Sequence, residues 1–135
     1  MGLSSTLARE GASKNIRVNV IAPLAASRMT ETVMPPEMLA ALKPEFVTPV
    51  VLYLAHESCE ETGGIFEIGG GWVAKLRWNR AKGGVLPPND VSPEAVAKIW
   101  NKITDFSADS EFPSATTDSF PPVMAAIETH AKAKL

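Results

Sequence analysis

Apolar residues concentrate in two short stretches that predict the strands of a sheet. The first, residues 16–22, is nearly continuous in β-favouring apolar residues, with Arg17 and Asn19 as the exceptions, and Pro23 is expected to end it. The second, residues 65–68, reads Ile-Phe-Glu-Ile and runs into three consecutive glycines. Nearly continuous apolar strands are typical of parallel sheets that helices cover on both faces. The pattern therefore predicts an α/β fold with two buried parallel strands.

Helical patterns alternate with these strands. Leu3 and Leu7, four positions apart, predict a helix over residues 2–10. A second helix is predicted from Thr48 as N-cap, with Pro49 at its first position. Because that helix is apolar on most sides, it is expected to be buried.

The character of the chain changes after Trp72. A basic, glycine-containing stretch and a proline-rich linker lead to Ser92, where the next helix is predicted to begin. Residues 107–119 have low hydrophobicity, which predicts a mobile loop. A last helix is expected from about Pro121.

Composition narrows the functional classes. The chain has 135 residues, 45% of them hydrophobic, and a net charge of -2, which suits one globular domain without nucleic-acid binding. Apolar runs are broken well before the roughly 18 residues that a membrane span needs, so no span is predicted. Cys59 is the only cysteine, which excludes an internal disulfide and favours a reducing compartment.

The glycine run is not a nucleotide-binding motif. Gly69, Gly70 and Gly71 are followed by Trp72, whereas a phosphate-binding loop requires lysine and then serine or threonine. The run also closes a strand instead of opening a helix. It therefore predicts a tight turn or close backbone packing at a strand end.

No residue is assigned a catalytic or metal-binding role. His56 and His130 lie far apart, without clustered cysteine or carboxylate residues at ligand spacing. Cys59 lies close to His56 in the sequence, but no third group that would orient the histidine is evident, so a structural or exposed thiol is expected.

The loop that follows the first strand is the strongest candidate for a site. Ligands of open α/β sheets bind beyond the carboxyl ends of strands. Ala25 and Ala26 allow close backbone approach, while Ser27, Arg28 and Thr30 offer hydrogen-bond donors for phosphate or amide groups. An ordinary surface crossover remains the alternative interpretation.

Three stretches carry a resemblance to a known family. Residues 7–35 (LAREGASKNIRVNVIAPLAASRMTETVMP), 52–78 (LYLAHESCEETGGIFEIGGGWVAKLRW) and 92–106 (SPEAVAKIWNKITDF) closely resemble the dehydrogenase part of peroxisomal multifunctional β-oxidation enzymes, of the kind found in fungi. That part belongs to the short-chain dehydrogenase/reductase family. The resemblance covers nearly the whole chain and weakens after about residue 107.

The resemblance implies a fold and an activity. Residues 1–78 would be the C-terminal portion of a Rossmann-type doubly wound parallel sheet, with its last two strands and flanking helices, and residues 79–135 a helical C-terminal extension. The family oxidises (3R)-hydroxyacyl-CoA to 3-ketoacyl-CoA and passes hydride to NAD or NADP. The implied cofactor contacts are Ala25, Ala26, Ser27 and Arg28. Residues 29–43 would cover the acyl chain of the acyl-CoA substrate.

The chain also departs from the family. The glycine-rich loop and the catalytic Tyr-x-x-x-Lys pair have no counterpart, since Tyr53, the single tyrosine, is followed four positions later by Glu57. The expectation is a related chain that is inactive alone and whose first strand lacks a neighbour on one edge. It would form a homodimer or associate with a full-length relative, and a non-catalytic interaction module is the alternative. The terminal Ala133-Lys134-Leu135 resembles a peroxisomal address, against a cytoplasmic alternative.

Overall fold

The computed structural model describes residues 2–107 and 110–132, so the terminal Ala133-Lys134-Leu135 lies outside the described residues. The chain divides into two units, Met1–Arg77 and Trp78–Leu135. Unit 1 contains the sheet and three α-helices, in the order α1 (Gly2–Gly11), β1 (Val20–Leu24), α2 (Pro36–Ala41), α3 (Thr48–Ala55), β2 (Ile65–Gly69) and β3 (Trp72–Leu76). Short 3-10 helices at Ala12–Lys14, Thr30–Thr32 and Pro44–Phe46 connect them.

The sheet has three strands in the order β1-β2-β3. β1 pairs with β2 in parallel, with Val20 opposite Ile65 and Leu24 opposite Gly69. This confirms the α/β class and the parallel pair, but β1 lies later in the chain than residues 16–22 and includes Pro23. The prediction that Pro23 ends the strand is therefore wrong.

Backbone direction explains why Pro23 is accepted within β1. The N–H of Val20 donates to the Gly64 carbonyl at 2.9 Å, on the β2 side. Because alternate residues of a strand turn their backbone groups to the same side, Ala22 also faces β2. Ile21 and Pro23 then face the opposite, open edge. Pro23 removes no hydrogen bond from the ladder there, which is where sheets tolerate proline.

The glycine run makes a hairpin, and its second strand was not predicted. β2 and β3 pair antiparallel, with Gly69 opposite Trp72, which leaves Gly70 and Gly71 as a two-residue loop. Both loop glycines have positive φ, 58° and 87°, as the tight turn that suits twisted hairpins requires. The expected tight turn is confirmed. The sequence did not indicate β3 because Lys75 breaks its short apolar run and Arg77 follows the strand directly.

The interior of unit 1 is small. Its buried residues are few and mostly small. Those with hydrophobic side chains are Ala8, Leu42, Cys59 and Ile68, of which Ile68 and Cys59 are the largest that are fully enclosed. The expectation that the helix beginning near Thr48 is buried is wrong, since α3 has no buried residue and Leu52 is 66% exposed. Thr48 is also not the N-cap, because that position falls on Val47 without a side-chain cap.

The stretch Pro36–Ala55 is long and apolar enough to cross a membrane by length and composition alone. It is composed of α2, α3 and the 3-10 helix at Pro44–Phe46, with non-helical residues between them. A bilayer requires the backbone of a span to satisfy its own hydrogen bonds throughout. This stretch is therefore no clear membrane span.

Unit 2 contains the two helices that the sequence predicted, α4 (Pro93–Ile103) and α5 (Phe120–Lys132). The Ser92 side chain caps α4 by accepting a hydrogen bond from the Ala95 N–H at 3.1 Å. His130 of α5 hydrogen bonds through Nε2 to the Leu86 carbonyl at 2.8 Å. The start of α4 is thus fixed by a local cap, and the last turn of α5 is attached to a residue 44 positions earlier in the chain.

Residues 110–119 of unit 2 fall within the segment that is expected to be mobile. Arg80 forms a backbone bridge with Glu111 and an ion pair with its carboxylate. The Arg80 guanidinium also donates to the Asp118 carbonyl at 2.9 Å. These contacts connect that stretch to the start of unit 2, and its mobility stays a prediction.

Candidate functional site

The candidate loop begins directly after the carboxyl end of β1. Ala25 and Ala26 are half-buried, whereas Ser27 and Arg28 are exposed. This places two small side chains against the protein and two polar side chains on the surface. The four residues that the resemblance implies as cofactor contacts therefore lie at one end of the parallel pair.

Thr30 organises the outer part of this loop. Its hydroxyl oxygen accepts a hydrogen bond from the Ser27 N–H at 2.7 Å and lies 2.9 Å from the Ser27 carbonyl, to which it donates. The Ser27 hydroxyl in turn lies 3.2 Å from the Thr30 hydroxyl. The sequence predicted that both hydroxyls are available to a ligand, but in the structure they lie within hydrogen-bond distance of each other. Arg28 is left as the exposed charged group of the loop.

A backbone hydrogen bond attaches the inner part of the loop to the end of α2. The Ala26 N–H donates to the Leu42 carbonyl at 2.7 Å. Leu42 is the residue that follows α2, and its side chain is 7% exposed. The polypeptide from Ala26 to Leu42 is therefore closed at its base, which sequence reasoning did not detect.

The two polar exceptions in the apolar pattern before β1 have a structural role. The Arg17 guanidinium donates to the carbonyls of Glu57 and Cys59. The Asn19 amide donates to the Glu61 carbonyl at 2.8 Å and accepts from the Gly64 N–H at 3.0 Å. These contacts hold the segment that leads into β2 and set the parallel register. Their interruption of an apolar run was the signal from which this role could have been inferred.

An apolar groove of about 410 Å³ lies beside the candidate loop. Pro23 and Ala25 form its wall on the β1 side, and Val47, Val51 and Leu52 form the wall on the α3 side. The groove therefore joins the loop to the exposed face of α3. An elongated apolar group of a ligand could lie there next to Ala25.

A second cavity, of about 660 Å³, lies between α3 and the β2–β3 hairpin. Its lining includes Tyr53, Cys59, Glu61 and Phe66. Cys59 is 1% exposed, and Glu61 forms an ion pair with Lys75 at 2.7 Å. Across residues 2–107 and 110–132, no three histidine, cysteine or carboxylate side chains form a group that could hold a metal ion.

Comparison with known proteins relates the chain to one group of enzymes. It is 56% identical over 109 residues to peroxisomal multifunctional enzyme type 2 of Mus musculus, a match covering 79% of this chain and 15% of the mouse protein. It is 52% identical over 120 residues to the peroxisomal hydratase-dehydrogenase-epimerase of Neurospora crassa, covering 87% of this chain and 13% of that enzyme. The likeness is therefore not confined to fungi. No protein-family model matches the sequence.

A protein from Mycobacterium tuberculosis, described as a short-chain type dehydrogenase/reductase, is 46% identical to this chain over 109 residues. That match covers 79% of this chain and 37% of the relative. The chain thus spans well under half the length of each of these three curated relatives.

A solved structure shows the same fold. The full-length peroxisomal multifunctional enzyme type 2 of Drosophila melanogaster matches with a TM-score of 0.82 and 37% sequence identity. The match covers 95% of this chain and 23% of the Drosophila chain. The Rossmann-like α/β fold and the resemblance to the multifunctional enzymes, both expected from the sequence, are confirmed.

Proposed function

We propose that the chain, which is similar to the peroxisomal multifunctional enzymes, corresponds to part of their dehydrogenase region and forms the nicotinamide side of a cofactor site. The proposed reaction is oxidation of a (3R)-hydroxyacyl-CoA to a 3-ketoacyl-CoA. NAD or NADP, when bound, accepts the hydride that leaves the hydroxyl-bearing carbon. The observation that carries the proposal is the position of Ala25–Arg28 at the carboxyl end of β1.

The loop fits one side of such a cofactor. The half-buried Ala25 and Ala26 have methyl side chains, so a flat ring system can approach the backbone closely. The exposed Arg28 supplies a cation for a phosphate or an amide oxygen. Ser27 contributes through its position more than through its hydroxyl, which Thr30 already engages.

Residues 29–43 and the groove beside the loop are proposed to receive the acyl chain. The groove is lined mainly by apolar side chains, among them Val47, Val51 and Leu52. An apolar wall next to a polar cofactor loop suits a substrate with a long hydrocarbon part. Residues 1–78 are accordingly assigned to the dehydrogenase part, and residues 79–135 to a helical extension.

The 135 residues alone are proposed not to turn over substrate. A short-chain dehydrogenase transfers its proton through a tyrosine whose pKa a nearby lysine lowers. Tyr53 has Glu57, not lysine, four positions later. Purified chain should therefore produce no NADH from a (3R)-hydroxyacyl-CoA, and measurable turnover would contradict this part of the proposal.

A chimera tests the proposed cofactor role. The residues of the Neurospora hydratase-dehydrogenase-epimerase that match this chain are replaced by those of this chain, and dehydrogenase activity is measured. The chimera should oxidise (3R)-hydroxyacyl-CoA at a rate within about tenfold of its parent. A folded chimera without dehydrogenase activity would overturn the proposed function.

Arg28→Ala in that chimera sharpens the test. Loss of one charge-assisted contact, about 1.5 kcal/mol, should raise the KM for the nicotinamide cofactor by about tenfold with a smaller change in kcat. Lys14→Ala is the matched control, because Lys14 is also an exposed cation of unit 1 but lies outside the loop. Equal effects of the two substitutions would remove Arg28 from the site.

A second function is supported by a separate observation. The outer edge of β1 and the outer side of α3 are exposed, with Leu52 and Tyr53 more than half accessible. A chain with such surfaces can act as an interaction module that joins a second copy of itself or a full-length relative. Mixing the chain with the Neurospora enzyme and measuring co-migration by size exclusion would detect that association.

The peroxisome is the proposed location, since the mouse and Neurospora relatives are peroxisomal by name. The terminal Ala133-Lys134-Leu135 would serve as the address. A fluorescent protein carrying this terminus should enter peroxisomes, and one ending in Ala-Lys-Ala should stay in the cytosol. Equal distribution of the two would reject the tripeptide as the signal.

A further inference from the structure

Leu42 occupies a junction between three parts of unit 1. Its N–H donates to the carbonyls of Met38 and Leu39, at 3.1 and 3.2 Å, and so ends α2. Its carbonyl accepts from the Ala26 N–H at 2.7 Å. Its side chain reaches the hairpin turn, where a Cβ placed on Gly70 would lie 3.8 Å from Leu42 Cδ2.

Leu42 is also the one residue with a buried side chain in the stretch 29–43, all of which the structure describes. The neighbouring Met38 is 50% exposed and Val33 is 76% exposed. The stretch therefore has little other apolar contact to fix it to the protein. Burial of a leucine side chain contributes about 1.5–3 kcal/mol, which exceeds the contribution of any single exposed contact nearby.

We propose that Leu42 is a positioning residue that couples the cofactor loop Ala25–Arg28 to the segment 29–43. The assignment of the two segments to cofactor and substrate rests on the proposed function, whereas the coupling between them rests on the contacts described above. The buried side chain holds the backbone of Leu42 under the Gly70 turn, and that backbone holds the Ala26 N–H. Movement of either segment then changes the other.

The hydrogen bonds of Thr30 extend this coupling into the loop. Thr30 fixes Ser27 from the outer side, and Leu42 fixes Ala26 from the inner side. The carbonyl of Ala25 lies 3.4 Å from the Thr30 hydroxyl. A ligand that orders Ala25–Arg28 therefore also favours the position of 29–43 in which the Ala26–Leu42 bond is made, and the reverse holds by linkage.

Hydrogen–deuterium exchange on the full chain tests the coupling. The variants are Leu42→Ala and the milder Leu42→Val, with Leu39→Ala as a matched control on the same helix. Exchange of the Ala26 amide should become about tenfold faster in Leu42→Ala and rise less in Leu42→Val. Exchange of the Val20 amide, bonded to Gly64 at 2.9 Å, should stay unchanged in Leu42→Val.

The outcomes separate positioning from general stability. Ala26 exchange that stays at the wild-type rate in both Leu42 variants overturns the proposal. So does an equal acceleration at Ala26 and Val20 in the mild variant, because that pattern reports global destabilisation only. Leu39→Ala is expected to leave Ala26 unaffected, and an effect equal to that of Leu42→Ala would also overturn it.

A kinetic arm keeps the coupling distinct from the proposed function. In the Neurospora chimera, Leu42→Val should raise the KM for the cofactor and the KM for the acyl-CoA together, by about threefold each, with a smaller change in kcat. A rise in only one of the two KM values contradicts the coupling. An inactive chimera overturns the proposed function, while the exchange measurements decide the coupling independently.

Discussion

β1 and β2 form one parallel pair, yet they lie in different environments. β2 has a strand on each side, and its Ile68 is fully buried at 0% exposure. β1 has a neighbour on one side, and four of its five residues are exposed. Their apolar content is similar in the sequence, so the difference comes from what surrounds each strand.

The comparison shows what an apolar pattern encodes. It indicates that a strand is suited to burial, but the burial itself needs neighbouring elements. β2 finds them in β1, in β3 and in the residues beneath the hairpin turn. In the sheet of the described residues β1 has β2 as its single strand neighbour, and Ile21 and Leu24 remain accessible. Its outer edge is therefore the place where unit 1 is suited to accept another strand.

Core substitutions should show the largest contrast between the two strands. Ile68→Ala removes a fully enclosed side chain and should lower the free energy of unfolding by about 2–5 kcal/mol. Ile21→Ala removes a side chain that is already 36% exposed and should cost about 1 kcal/mol. Chemical denaturation of both variants measures the difference. Equal losses would mean that the outer side of β1 is covered in solution.

Proline substitutions at adjacent positions should separate the two edges of β1. Ala22→Pro removes a ladder hydrogen bond toward β2 and leaves its acceptor unpaired, which should destabilise the chain by about 1–3 kcal/mol. Ile21→Pro removes an N–H on the open edge and should cost much less. The midpoint of thermal unfolding compares them. If Ile21→Pro is as damaging as Ala22→Pro, the open edge is paired with another chain.

The smallest expected effect lies outside the sheet, at Asp105. The Ser107 hydroxyl and then the Ser107 backbone N–H donate to this carboxylate, which lowers the pKa of Asp105 below its ordinary value. Because the pKa is lowered, the ionised carboxylate stabilises the local turn at pH values above the ordinary titration range of aspartate. This stabilisation is lost as the pH falls through the folded-state pKa.

Titration by NMR should place the pKa of Asp105 below 3.8 and raise it in Ser107→Ala. Ile21→Pro should leave this titration unchanged, because the turn depends on its own residues and not on the sheet. A shift of the Asp105 pKa in that sheet variant would contradict the separation of local from sheet-dependent contacts.

Local signals predicted much of the fold. The start of α4 followed from Ser92 and Pro93, and the tight turn followed from the glycines before Trp72. Such signals act within a few residues, so one sequence is enough to see them. The same turn could have predicted β3, since a two-residue glycine loop is typical of hairpins.

Contacts between residues far apart in the sequence were harder to predict. The burial of α3 was overestimated because an apolar helix face is buried only where another element packs against it. The candidate loop was located correctly at a strand end, but the pairing of Ser27 with Thr30 and the bond from Ala26 to Leu42 depend on backbone directions. Arg17 and Asn19 were seen only as interruptions, although their bonds across to the segment before β2 set the register.

The central claim is that β1 needs a neighbour which the described chain does not supply. Circular dichroism during thermal unfolding, at several concentrations of the purified chain, tests it most directly. The account predicts either a weakly cooperative transition or a midpoint that rises with concentration as chains associate. A cooperative transition of a monomer, with a midpoint independent of concentration, would contradict it.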